Sequence, residues 1–299
     1  VEVSQFAAGA GTIGVIFGAY FTETFRGAIM AIPRGQIEAG ISCGMRRSLI
    51  FRHIIWPQMI RFALPLFPEQ SAAFAPVAMT LGLVGIIYGA VLACGQQDIK
   101  RLIAYTSISH MGFVLIALYS GSELAIQGAI ILMVAHAFSS AGLFILSGQL
   151  YERIHTRDMR TMGGLWSRIP VLPGFTLCFV AASLGMPATA NFVGEFMVLF
   201  GTFPSAPVVV VIASVGLVLA AIYSLLLMQR VHYGPEYRPG PLKGPDAREY
   251  GMMLTLLMLT IAVGLYPQPL LDTTAAVAAP VAELFTDASD LAARAGEVN

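Results

Sequence analysis

Six long stretches of this chain contain no Asp, Glu, Lys or Arg, and they constrain the fold more than any other feature. Each is long enough, at roughly 18 residues or more, to cross a bilayer as an α-helix. Of the whole chain, 57% is hydrophobic and only 11% is charged, against about 25% charged residues in a soluble domain. The sequence therefore predicts an all-α, polytopic membrane helix bundle. The six stretches are Phe74–Cys94, Leu102–Tyr119, Leu124–Leu150, Val171–Gly194, Pro207–Gln229 and Tyr250–Leu271.

Basic residues occupy every second loop between these spans. Lys and Arg occur in Asp98–Arg101, Glu152–Arg168 and Arg230–Glu249, whereas Ser120–Glu123 and Thr202–Ala206 have none. The positive-inside rule predicts that the three basic loops face the cytoplasm and the C-terminal tail faces the opposite side. Two weaker candidate spans, at residues 6–21 and 48–67, precede the six.

Charge and cysteine content exclude several other classes of protein. The 17 basic and 17 acidic residues cancel, so no positive field favours nucleic acid. The three cysteines are odd in number and widely spaced, and predict neither a disulfide framework nor a metal site. His155 and His232 lie in basic loops, and we expect both to be solvated. The first residues lack the basic segment of a cleavable signal peptide, and we expect an internal start.

Two histidines lie within the uncharged runs, where a titratable group is costly and by default belongs to an ion or proton path. Helical spacing places His110 on one face with Thr106 and Ser107. It places His136 on one face with Ser139 and Ser140. A water-linked chain of hydrogen bonds could pass through both groups. The alternative is that these side chains only pack helices together.

Glu195 is a carboxylate buried in an apolar run, and Pro187 precedes it by eight residues. A mid-helix proline lacks an N–H and clashes with the preceding turn, so we expect a broken helix near Pro187. Thr189 and Asn191 could satisfy the freed backbone groups. Broken helices of this kind mark ion sites in transporters. Lys100, at the start of its helix, either takes part in conduction or only sets topology.

Four segments carry a family resemblance: DIKRLIAYTSISHMGFVLIA, the run around His136, ERIHTRDMRTMGGLWSRIP and PATANFVGEF. Together they resemble subunit M of bacterial NADH-quinone oxidoreductase (respiratory complex I), which is similar to Mrp-type antiporter subunits. The resemblance spans residues 66–285. It implies the C-terminal, six-helix half of an antiporter-like subunit, because the family has fourteen helices in inverted repeats. The first repeat, with its buried glutamate and lysine, is not expected here.

The resemblance also implies roles. His110 and His136 match the family's central histidines, and Glu195 matches the carboxylate of the second broken helix, from which a proton leaves. No cofactor or metal is expected in this chain; NADH, FMN, iron–sulfur clusters and quinone would be on other subunits. The partners would be the other membrane-arm subunits and the lipid of the bacterial inner membrane. A cation/proton antiporter subunit of the Mrp or hydrogenase type is an alternative.

Residues 1–65 resemble a different family. ETFRGAIMAIPRGQIEAGISCGMRRSLIFRHIIWP is similar to the permease subunit of an ABC importer for polar amino acids. In that family this loop docks an ATPase subunit, which would involve Glu38 and Gly44. The two resemblances meet at RFALP, so we expect a chimeric chain with a polar tail at residues 286–299. An ABC-importer permease is therefore a second alternative function.

Overall fold

The computed structural model describes residues 56–236, 242–276, 278–279 and 281–282. Phe74–Thr286 forms one compact unit, which contains every predicted site residue from Lys100 to Glu195. Its described residues are helices and loops with one isolated β-bridge, which confirms the prediction of an all-α bundle. Glu38 and Gly44 lie outside the described residues, so the permease-like segment and the proposed join stay predictions.

Helices α1 to α8 follow one another along the chain. Within the described residues, five are long and apolar enough to cross a membrane: α2, α3, α7, α8 and the part of α1 from Phe74. The shorter α5 and α6 have 13 residues each. The bounds are α1 Trp56–Gly95, α2 Ile99–Leu118, α3 Glu123–Ile154, a 3-10 turn Met159–Thr161, α4 Leu165–Arg168, α5 Val171–Ser183, α6 Ala190–Thr202, α7 Pro207–His232 and α8 Ala247–Leu265.

Several predicted boundaries move for local reasons. Helix α2 begins at Ile99 because the Asp98 side chain accepts from two backbone N–H groups and caps it, which places Lys100 in the first turn. Helix α8 ends at Leu265, not Leu271. Pro267 cannot donate to the helix and disfavours helical backbone in the residue before it, Tyr266.

The predicted single span Val171–Gly194 is broken in two, as expected, but the break is made differently. Helix α5 ends at Ser183, four residues before Pro187. The Met186 N–H donates to the Ala181 carbonyl and the Gly185 N–H donates to the Ala182 carbonyl. With Gly185 at φ +75°, this is a Schellman motif, which ends a helix with a left-handed glycine. Pro187 only follows this stop.

Small residues let the helices approach closely, as in other membrane bundles. A Cβ at Gly82 would lie 2.9 Å from the Gly112 carbonyl oxygen, so these glycines bring α1 against α2. A Cβ at Gly194 would lie 2.7 Å from the Leu132 backbone nitrogen. This contact seats α6 on α3 one residue before Glu195 and one turn from His136.

The three basic loops meet at one end of the unit. The Ile99 N–H donates to the Arg157 carbonyl at 3.1 Å, and the Met159 N–H donates to the Gln97 carbonyl at 2.8 Å. Arg230 donates to the Gln96 carbonyl at 2.9 Å. The rings of Trp166 and Tyr233 stack at 5.6 Å. The chain therefore runs up and down through the bundle and returns each time to this basic end.

Candidate functional site

Glu195 and His110 meet in the interior of the unit. The Glu195 Oε1 atom lies 3.1 Å from His110 Nδ1, with the two residues 4% and 1% exposed. Neither atom makes a hydrogen bond to a described residue. At their separation, a small rotation of the ring or the carboxylate would complete a hydrogen bond between them.

The other nitrogen of the His110 ring faces two hydroxyls. Ser183 Oγ lies 3.2 Å from Nε2, and the Tyr223 hydroxyl lies 3.3 Å from the same atom. Ser183 is the last residue of α5, so the Schellman stop places its hydroxyl at the histidine. Gly185, two residues on, lies against Glu195 Oε2, where a Cβ would come within 2.5 Å of that oxygen. The helix break thus contacts both members of the pair.

His136 lies beside His110. The two ring centroids are 5.1 Å apart, with a tilt of 43° between the planes. Ser139, one turn along α3, accepts a hydrogen bond of 3.4 Å from Asn191 Nδ2, and Asn191 lies one turn before Glu195 on α6. The Asn191 Oδ1 atom is buried and has no hydrogen-bond partner among the described residues. Two histidines, a carboxylate and an amide from three helices therefore form one polar cluster.

The remaining residues that the sequence predicted lie around this cluster or away from it. Thr106 and Ser107 donate to the Ile103 carbonyl of their own helix. Thr189 donates to the Met186 carbonyl in the break, and Pro187 is exposed. Lys100 lies a full ten residues before His110 at the basic end, and its side chain makes no hydrogen bond or ion pair with the described residues. Ser140 is half-buried on α3, one residue beyond Ser139.

A cavity of about 10 Å³, close to the smallest that holds one water molecule, adjoins the hydroxyls that face His110. Its α2 residues precede His110, so the cavity lies on the side of the histidine that is nearer the basic end. Its polar lining residues are Thr106, Ser183, Tyr223 and Ser224, and its apolar ones are Leu102, Ile103, Leu143, Val180 and Leu227.

Sequence reasoning missed Ser183, Tyr223 and Gly185. Ser183 and Tyr223 sit in apolar runs where hydroxyls are common, and only the fold brings them to His110. The glycine in SLGMP, two residues before Pro187, could have been recognised as a helix stop. The expectation that His232 is solvated is wrong. It is the last residue of α7 and fully buried, with neither ring nitrogen bonded to a described residue.

A mostly buried ion pair between Arg153 and Glu249 lies at the basic end. Arg153 donates to Glu249 Oε2 at 2.6 Å and to Oε1 at 3.1 Å. The same guanidinium donates to the carbonyls of Gln149, Lys243 and Gly244. It thereby holds α3, α8 and the loop between α7 and α8 together. Nearby on the surface, hydrogen bonds from Arg160 lower the pKa of Asp158 below its usual value.

No group of three or more His, Cys, Asp or Glu side chains in the described part of the chain is arranged to hold a metal ion. The central cluster has two imidazoles and one carboxylate, but the two rings contact each other rather than converge on a common point. Its chemistry is that of groups that gain and lose protons.

Comparison with known proteins gives the family. The family described as NADH:quinone oxidoreductase/Mrp antiporter, TM, matches residues 52–220. The match begins before residue 66, where the sequence analysis places the start of the resemblance. The chain is 59% identical over 218 residues to NADH-quinone oxidoreductase subunit M of Pseudomonas aeruginosa, covering 73% of this chain and 43% of that protein. It is 56% identical over 232 residues to the subunit M of Escherichia coli K12, covering 77% and 46%. The chain thus spans about half the length of these relatives.

Solved structures share the fold. A chain of respiratory complex I from Thermus thermophilus matches with a TM-score of 0.71 and 29% identity, covering 75% of this chain and 48% of that one. A chain of the Mrp complex from Dietzia matches with a TM-score of 0.64 and 16% identity, covering 78% of this chain and 52% of that one. At this low identity the match is evidence of the fold alone. The family match covers more than half of the sequence, so this chain belongs to the membrane-spanning NADH:quinone oxidoreductase/Mrp antiporter family.

Proposed function

We propose that this chain translocates protons as part of the membrane arm of an NADH-quinone oxidoreductase, and that Glu195, His110 and His136 carry them. The relatives of 59% and 56% identity bear the name of subunit M of that enzyme. The single observation that carries the proposal is the Glu195–His110 contact of 3.1 Å inside the bundle. A buried ionisable pair is costly in a membrane and is retained where it serves transport.

The arrangement supports a path with two ends. The cavity beside Ser183 and Tyr223, and beyond it Lys100, lie between His110 and the basic end, which the positive-inside rule assigns to the cytoplasm. Glu195, beside the break between α5 and α6, would release the proton toward the opposite side. His136, Ser139 and Asn191 would extend the path sideways from the pair. Thr106, Ser107, Ser140 and Thr189 would support water in the path.

The rest of the machinery would lie on other subunits. Electron transfer needs NADH, FMN, iron–sulfur clusters and quinone, and we expect none of these in this chain. The chain would couple to that chemistry through neighbouring membrane-arm subunits in the bacterial inner membrane. The whole enzyme would then be a proton-translocating NADH:quinone oxidoreductase.

An antiporter subunit of the Mrp type is the second candidate, because the family includes both kinds of protein. The identity of 56–59% to subunit M, against 16% to the Mrp chain, favours the oxidoreductase. The permease-like interpretation of residues 1–65, with its ATPase partner, and the chimeric join stay predictions.

Glu195→Gln tests the proposal. An amide of the same shape cannot exchange a proton near neutral pH, and loss of one acid–base group typically costs about 10²–10⁴-fold. We expect NADH-driven proton uptake by inverted membrane vesicles to fall at least tenfold relative to the flow of electrons. The measurement is quenching of an acridine dye beside the rate of NADH oxidation.

The control is Glu152→Gln, which changes an exposed carboxylate at the end of α3. It should leave the ratio of protons to electrons unchanged. Pumping at the wild-type ratio by Glu195→Gln would remove Glu195 from the path. Uptake that depends on an added sodium gradient rather than on NADH would favour the antiporter.

A further inference from the structure

Two hydroxyls from different helices converge on one nitrogen of His110. Ser183 comes from the end of α5 and Tyr223 from the middle of α7, at 3.2 and 3.3 Å from Nε2. Both residues are buried, Tyr223 to 1% exposure. Several other buried hydroxyls of the bundle donate to a carbonyl of their own helix, as Thr106, Ser147 and Thr176 do. The Ser183 hydroxyl is directed between helices instead.

A ring nitrogen offers a single position for a hydrogen bond, because it carries either one lone pair or one N–H in the plane of the ring. Only one of the two hydroxyls can therefore occupy that position in line at any moment. Both Ser183 and Tyr223 also line the cavity that has room for about one water molecule. The hydroxyl that does not face Nε2 can turn toward this cavity.

The opposite nitrogen has only Glu195 within reach among the described residues. An ionised carboxylate accepts hydrogen bonds and cannot donate them, so Nδ1 must carry a proton to bond with it. With the proton on Nδ1, a neutral His110 presents a lone pair at Nε2, to which either hydroxyl can donate. Glu195 thus favours the Nδ1–H tautomer, and the hydroxyls, of which the Tyr223 phenol is a better donor than acceptor, stabilise its Nε2 lone pair.

We propose that Ser183 and Tyr223 are positioning residues that hold His110 with its proton on Nδ1 and pass the next proton to Nε2. This inference rests on the proposed function and gives the path a direction through the ring. A proton enters from the cavity at one nitrogen and leaves toward Glu195 at the other.

The transfer balances without any further reactant. An O–H bond of a protonated water in the cavity breaks and, relayed by a hydroxyl, an N–H bond forms at Nε2, so that the imidazole becomes cationic. The Nδ1–H bond then breaks and an O–H bond forms at Glu195 Oε1, which leaves a neutral imidazole protonated on Nε2. Release of the proton from Glu195 toward the opposite side then completes the passage of one proton and leaves the ring as the Nε2–H tautomer.

Among the described residues, the side chains that face His110 come from four other helices: Glu195 from α6, His136 from α3, Tyr223 from α7 and Ser183 from α5. The Tyr223 and Ser183 hydroxyls contact the ring at Nε2 alone. Their loss should therefore change which nitrogen is protonated more than it changes the fold.

The test is nitrogen NMR of the full chain, labelled with ¹⁵N-histidine and reconstituted in lipid bilayers. Protonated and unprotonated ring nitrogens have widely separated chemical shifts, and the His110 signals are those lost in His110→Gln. We expect Nδ1 protonated and Nε2 unprotonated in the unsubstituted chain. In the double variant Ser183→Ala/Tyr223→Phe, the population ratio of the two tautomers should shift about threefold to tenfold toward Nε2–H, as expected for lost hydrogen bonds.

Ser147→Ala and Tyr105→Phe are matched controls, since they remove a buried and a half-buried hydroxyl that do not contact His110. Both should leave the His110 spectrum unchanged. A proton on Nε2 in the unsubstituted chain, or a double variant with an unchanged tautomer ratio, overturns the inference.

A second measurement uses the assembled enzyme in inverted vesicles. The ratio of protons to electrons, followed from pH 6 to pH 8, should show a shifted pH profile in the double variant and the original profile in both controls. An unshifted profile overturns the inference. If Glu195→Gln pumps normally while the tautomer result stands, the proposed function fails and the tautomer assignment survives. If Glu195→Gln loses pumping but the tautomer ratio does not change in the double variant, only the inference fails.

Discussion

Two acid–base pairs in the described part of the bundle are largely shielded from solvent, and they differ in how completely they are hydrogen-bonded. At the basic end, Arg153 and Glu249 share two hydrogen bonds, and their side chains are 9% and 14% exposed. Three backbone carbonyls accept the remaining N–H groups of the arginine. In the interior, Glu195 and His110 face each other at 3.1 Å with one atom on each side still unsatisfied.

This contrast distinguishes a structural clamp from a site that can move a proton. Arginine stays protonated at every physiological pH, so the Arg153–Glu249 pair can only persist or break. Histidine and glutamate can each exchange a proton, and a histidine has two nitrogens through which a proton can pass. A fully bonded pair stabilises one arrangement, whereas an incompletely bonded pair keeps two arrangements close in energy.

The largest effect on stability should come from the clamp. Arg153→Met leaves the Glu249 carboxylate partly buried without its cation, and we expect about 2–4 kcal/mol of lost stability. The measurement is the denaturation midpoint in detergent, together with the amount of assembled enzyme. The enzyme that does assemble should keep its normal ratio of protons to electrons. A normal midpoint with a lowered ratio would make Arg153 a part of the path.

Gly185→Ala should have an intermediate effect, because it disturbs the interior pair through the backbone. The left-handed conformation at φ +75° costs about 1–2 kcal/mol with a side chain, and the added Cβ would displace Glu195 Oε2. We expect both a lower midpoint and a lower proton-to-electron ratio.

The matched control is Gly234→Ala. Gly234 has a similar φ of +92°, but nothing lies within 4 Å of an added Cβ. It should lower the midpoint by a similar amount and leave the ratio unchanged. If Gly185→Ala and Gly234→Ala give the same proton-to-electron ratio, the contact between Gly185 and Glu195 does not contribute to pumping.

Pro187→Ala should change stability little, by no more than about 0.5 kcal/mol, because the proline is exposed and lies beyond the Schellman stop. The proton-to-electron ratio should also be retained. A longer α5, detected as slower amide hydrogen exchange at residues 184–189, would show that Pro187 makes the break after all.

The smallest effect on stability is expected at the pair that we propose for proton transport. Glu195→Gln replaces a buried acid by an amide of the same shape, and replacement of buried ionisable groups by neutral ones is often neutral or stabilising. The midpoint should stay the same or rise even though pumping is lost. A large fall of the midpoint would assign Glu195 the same structural role as Glu249.

The sequence predicts most of the fold, because each long membrane-spanning helix corresponds to a long uncharged run of residues. It also predicts the broken helix, but Gly185 rather than Pro187 ends α5. Hydropathy alone extends the last span to Leu271, since it does not register the effect of Pro267 on the backbone. The basic loop after α7 led to one wrong expectation. His232 was expected to be solvated, but it is buried at the end of α7.

By itself, the sequence determined that the chain is a bundle of membrane helices with ionisable groups at depth, since hydropathy and the cost of buried charge depend only on residue order. Only the tertiary structure decided which of those groups touch. His110 and Glu195 are 85 residues apart in number, and their contact depends on a glycine-mediated approach of α6 to α3 and on a helix that stops at Ser183. Periodicity within one helix cannot specify such contacts, because they depend on how the surfaces of several helices pack.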